Sequence, residues 1–84
     1  MLASVARTTD QEWALARLAH LLARRAAVER DPELAAGPDG HWLVRALDGA
    51  IVSAYTLARD LEVGEEAEAL MREFREREGL APLG

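Results

Sequence analysis

At 84 residues the chain is the size of one small domain, and half of its residues are apolar, which excludes a disordered polymer. A formal net charge of −5 argues against binding driven by nucleic-acid phosphates or an anionic membrane, because such binding draws on excess positive charge. The absence of cysteine excludes disulfides and thiolate zinc sites, so stability has to come from helix packing, within the chain or against a partner.

The opening "MLASVAR" lacks a basic stretch ahead of an apolar one and does not read as a signal peptide. No uncharged run approaches the roughly 20 apolar residues that span a bilayer. A cytoplasmic protein is the expectation. The first element is a helix over about 10–30, begun by a capping box in which Thr9 caps and Glu12 reaches back. Its segment "EWALARLAHLLARRAAVER" consists of strong helix formers, with Leu15, Leu18 and Leu22 on one stripe. Arg17, His20 and Arg24 recur at helical spacing on another side and form a candidate basic face. Three residues secure little phosphate affinity, so a solvated helix face is the simpler reading of them.

Pro32 ends that helix, and "DPELAA" predicts a kink or one short turn over 31–36, with Asp31 as N-cap, Pro32 in the first helical position and Gly37 closing it. The run "GPDG" is turn chemistry, after which Asp39 or Gly40 caps a second long helix over about 40–63. This is the most apolar element. Leu43, Leu47, Ala50, Ala54, Leu57 and Leu61 alternate in steps of four and three, the seam of two helices packed at a shallow angle. Val44, Ile51 and Tyr55 form a second strip beside it, and Ala46, Ala50 and Ala54 leave room for a close backbone. Gly64 suits a C-terminal cap, although a helix continuing through it would cost only about 1 kcal/mol. A third, charged helix over about 65–78 carries Ala67, Leu70, Met71 and Phe74 on a narrow stripe, with Glu68–Arg72 and Glu73–Arg77 as ion pairs one turn apart. A loose tail over 79–84 follows.

The expected fold is all-α: a long antiparallel helical hairpin plus a short charged third helix, in one domain covering 1–84. Because the second helix is apolar around much of its circumference, a symmetric homodimer resembling a four-helix bundle encloses it most economically, with a monomeric three-helix bundle as the alternative. Val44, Ala46, Asp48, Ala50, Ile51, Ala54 and Tyr55 are the candidate interface. Asp48 has Arg45 as its nearest local partner and could instead cross to the second chain. Trp13 and Trp42 are expected to close the two ends of the hairpin, Trp13 near Leu57 or Leu61 and Trp42 near Val28 or Leu34.

The stretch "TLARDLEVGEEAEAL", about fifteen residues, resembles a helix-turn-helix DNA-binding motif, which would use residues 58–74: Ala58, Leu61, Val63 and Ala67 fall on its apolar positions. The resemblance implies a DNA-binding regulator whose second helix enters the major groove. The chain departs from the pattern at Glu62, where a glycine is usual, and at Glu68, where an apolar residue is usual. Glu65 and Glu66 would also meet phosphates with like charge. Asp31, Glu33, Asp39 and His41 crowd one connection, but without the helical pair spacing of a metal site. No serine, threonine or tyrosine has a histidine within local reach, so no catalytic residue is assigned. No cofactor and no metal are expected. The leading reading is a non-enzymatic interaction module, an adaptor or regulator, homodimeric. A DNA-binding regulator and a small-ligand or metal-binding bundle are its rivals.

Overall fold

The computed structural model describes residues 6–81, with Ala35 through its backbone only. Among these residues four helices account for most of the chain and no strand occurs: α1 Thr9–Glu29, α2 Pro32–Ala36, α3 Gly40–Asp60 and α4 Gly64–Arg77. The fold is all-α. Among the described residues no helix is long and apolar enough to cross a membrane.

α1 starts one residue earlier than the Thr9–Glu12 box requires. Thr8 is the N-cap: its hydroxyl accepts from the Gln11 N–H at 3.1 Å, and the Gln11 side-chain oxygen accepts from the Thr8 N–H at 2.9 Å. Glutamine suits this position better than the glutamate beside it. Its amide also carries a donor, and the Gln11 Nε2 gives that donor to the Leu61 carbonyl at the far end of α3, 2.8 Å away. One side chain therefore caps α1 and fastens it to the last turn of α3. At the other end of α1 the Arg25 Nε donates to Asp48 Oδ1 of α3 at 2.8 Å.

Between these two fastenings the inward residues of α1 and α3 meet. Ala14, Leu15, Leu18, Leu21, Leu22 and Val28 face Leu47, Ile51, Ala54 and Ala58 in one buried cluster, with Leu18 and Leu22 its largest fully enclosed side chains. Each such leucine contributes about 1.5–3 kcal/mol by leaving water. α2 lies at the turn between the long helices. Asp31 caps it by accepting from the Leu34 N–H at 3.1 Å, and Pro32 occupies the first turn, where its missing N–H costs nothing. Asp39 occupies the N-cap position of α3 but makes no side-chain cap bond.

α4 packs against both long helices through Ala67, with Leu70, Met71 and Phe74 half-buried beside it. The break before it is not made by Gly64. Glu62 takes the left-handed conformation at φ 67°, while the Val63 N–H bonds the Ala58 carbonyl at 2.9 Å and the Glu62 N–H bonds the Arg59 carbonyl at 3.0 Å. That pair of bonds is the Schellman ending, here with glutamate where glycine is the relaxed choice. Gly64 instead opens α4. A β-carbon there would come within 3.3 Å of Arg59 Cγ, so the glycine serves close approach of the two helices rather than a turn. The end of α4 repeats the Schellman pattern with glycine in place: Gly79 stands at φ 70°, and the Leu80 N–H bonds the Arg75 carbonyl at 2.8 Å.

Candidate interaction surfaces

A chain of charges that local spacing does not reveal ties the helices together. The Arg75 side chain of α4 is 3% exposed and pairs in bidentate fashion with Glu29 of α1, with Nη2 3.0 Å from Oε1 and Nη1 on the other carboxylate oxygen. Its Nε donates to the Ala81 carbonyl at 2.8 Å, which fastens the residues after α4. Glu29 also receives Arg25 Nη1 at 3.3 Å, and Arg25 in turn holds Asp48. Three helices are thus joined through one relay of alternating charge. The Arg75 hydrogen bond, followed by the fields of Arg25, Arg75 and Arg30, holds the Glu29 carboxyl below its ordinary pKa despite its partial burial. Arg30 closes the same end by bonding Glu78, 2.8 Å from its carboxylate.

Asp48 pairs within the chain with Arg25 of α1 rather than with Arg45. Arg45 lies instead over the ring of Trp42, 5.8 Å from its centre, and His41 meets that ring edge-on at 5.4 Å. The expected pairs Glu68–Arg72 and Glu73–Arg77 do not occur among the described residues. Arg77 lies over Phe74 at 5.6 Å instead.

Both tryptophans depart from the sequence expectation. Trp13 is 56% exposed and Trp42 is 66% exposed, so neither closes an end of the molecule. The physical reason is rotation about the helix axis. In α1 the core takes residues 14, 15, 18 and 22, which turns 13 outward with Arg17, and that guanidinium stacks 5.9 Å from the Trp13 ring centre. Arg17, His20 and Arg24 are exposed together, as a basic face requires, and form no ion pair among the described residues.

The candidate interface residues of α3 divide among three environments. Ile51 and Ala54 are buried in the chain's own core, while Val44, Ala50 and Tyr55 are half-buried against it. Ala46 is exposed, and Asp48 is held by Arg25. A different line of residues is left uncovered. Trp42, Ala46, Gly49, Ser53 and Leu57 are exposed and Ala50 half-exposed, in steps of three and four along one side of α3. Tyr55 lines the crevice against α4, and Leu57 lies about 200° around the helix from it, so this uncharged side faces away from α4. The exposed tryptophan and the exposed small residues were each legible as residues. Their alignment on one open face was not, because it depends on which side of α3 the core consumes.

Between α1 and α4 runs an open groove of about 490 Å³, with Leu15, Ala16, Ala19, Ala69 and Leu70 along it and Arg7, Glu12, Glu66 and Glu73 at its margins. A smaller crevice of about 300 Å³ lies at the α3–α4 turn, among Tyr55, Arg59, Glu62, Gly64, Glu65, Glu66 and Glu68. Among the described residues no group of three His, Asp or Glu side chains is placed to hold a metal ion. At the helix-turn-helix-like segment, Ala58, Val63 and Ala67 are buried together, and Glu62 has the backbone conformation that the motif gives its turn glycine. Glu65 and Glu66 nevertheless occupy the first turn of α4. Compared with protein-family models, with curated proteins and with solved structures, the chain matches none.

Proposed function

We propose that this chain is a non-enzymatic interaction module, an adaptor or regulator, whose antiparallel α1–α3 hairpin pairs with a second copy to form a homodimer like a four-helix bundle. The observation that carries the reading is the open, uncharged face of α3, with Trp42 at one end and Leu57 at the other. Its residue sizes are symmetric about the Gly49–Ala50 peptide: Trp42 balances Leu57, Ala46 balances Ser53, and Gly49 balances Ala50. A two-fold axis at that point sets each large residue of one α3 against the other's opposite end, while small residues at the centre let the backbones approach. Self-complementarity of this kind is what an isologous contact needs. Between Trp42 and Leu57 the line itself contains no charged residue, and Arg45 flanks it over the Trp42 ring.

Sedimentation equilibrium at micromolar concentration tests the dimer, and a monomeric mass throughout that range overturns it. The lack of native cysteine allows a sharper measurement of register. Ala50→Cys, close to the axis, should form a disulfide-linked dimer with itself. Ala46→Cys should cross-link to Ser53→Cys in a mixture and form no dimer alone. A DNA-binding role finds support in the backbone of the α3–α4 turn, but the acidic start of α4 opposes it. Duplex DNA at low salt, where phosphate contacts are strongest, should remain unbound.

A further inference from the structure

The α1–α4 groove has a chemical character of its own, apart from the open face of α3. Leu15, Ala16 and Ala19 of α1 and Ala69 and Leu70 of α4 supply an apolar lining with small side chains. At its margins stand the carboxylates of Glu12, Glu66 and Glu73 against the single cation Arg7. None of the three carboxylates forms an ion pair among the described residues, although arginines pair with acids elsewhere on the molecule. Glu66 and Glu73 are seven residues apart on α4, which places them about 10.5 Å apart along its axis on nearly the same side. The groove is therefore long, shallow, apolar within and negative along one edge.

We propose that this groove docks a cationic amphipathic helix of a partner protein. Alanine- or leucine-sized residues of that helix lie between α1 and α4, and two arginines or lysines seven residues apart meet Glu66 and Glu73. Helix-in-groove recognition reads an amphipathic face in this way, through anchors spaced by whole turns. The charge of the whole chain favours the same partner, because a net −5 attracts a cationic segment during approach. A second copy fits the groove less well, because its strip of Arg17, His20 and Arg24 shares its exposed side with the bulky Trp13, over whose ring Arg17 is stacked.

The test uses a fluorescently labelled synthetic helix, rich in alanine, with two arginines seven residues apart and leucines on the adjoining face. The full chain should bind this peptide at low salt and fail to bind a counterpart with glutamates in place of the arginines. The double variant Glu66→Gln/Glu73→Gln should weaken binding about tenfold or more. The control Glu68→Gln/Glu76→Gln, with the same change in charge outside the groove, should leave it within a factor of two. Ala69→Phe, which fills the groove without altering charge, should also abolish binding while the circular dichroism spectrum stays helical. Equal losses in the two charge variants, unimpaired binding by the filled groove, or no binding of the cationic peptide at low salt would each overturn the proposal. So would salt-sensitive self-association removed by Arg17→Glu/Arg24→Glu, since the groove would then hold a second copy.

Discussion

Glu62 and Gly79 occupy the same position in two Schellman endings, and only one of them is glycine. A side chain in the left-handed region crowds its own carbonyl, at a cost of about 1–2 kcal/mol, partly offset because glycine loses more entropy on folding. Glu62→Gly should therefore raise stability by roughly 0.5–1 kcal/mol, seen as a higher midpoint in urea denaturation at unchanged slope. A fall in the midpoint would mean that the glutamate makes a compensating contact in the folded chain. The sequence points to Gly64 as the turn residue because glycine is the usual left-handed residue. The buried Ala58–Val63 contact sets the ending two residues earlier, so that Gly64 meets a steric need instead. Gln11 carries a similar lesson. Its capping role is local and nearly legible, whereas its bond to Leu61 spans fifty residues and follows from the tertiary packing of α1 against α3.

At the scale of elements, α4 buries fewer residues than either long helix, and charge assists it. Arg75 is almost wholly enclosed, so its partner matters more than one on the surface would: removing one side of a buried pair leaves an uncompensated charge. The Glu29 pKa is depressed in the folded chain, so the carboxylate favours folding above the ordinary glutamate value of 4.5 and loses that contribution as pH falls through the depressed value. Glu29→Gln should lower stability at pH 7 by about 2–3 kcal/mol, a figure below the full buried-pair loss because Glu29 keeps a quarter of its side-chain exposure and Arg75 keeps the Ala81 carbonyl. The gap between variant and parent should narrow below pH 4.5, as the parent's own carboxylate becomes protonated. A gap constant from pH 7 to pH 3 in urea melts would remove the ionic explanation. Local spacing offers Glu29 only Arg25. The Arg75 partnership, forty-six residues away, has no sequence signal.

For the molecule as a whole, the proposed dimer predicts a thermal midpoint that rises with protein concentration, because association stabilises only the folded form. Trp42→Ala should remove that dependence while costing the monomer little, since the ring is mostly exposed there. A midpoint independent of concentration in the parent would sink the dimer by itself.

By itself the sequence determined that the chain is helical and where its polarity changes. Period-3.6 apolar spacing, Pro32 and the Gly/Pro-rich connection at 37–40 act within a few residues, so they can be read locally. Only the tertiary structure decided which strip of each helix becomes core. Both tryptophans could have faced inward on the basis of spacing alone. Packing Leu18 and Leu22 against Ala54 and Ala58 rotates them into solvent, leaves one side of α3 uncovered and places Arg75 against Glu29. Those outcomes rest on contacts between residues distant in the chain, where helix rotation and not local composition sets which side chains meet.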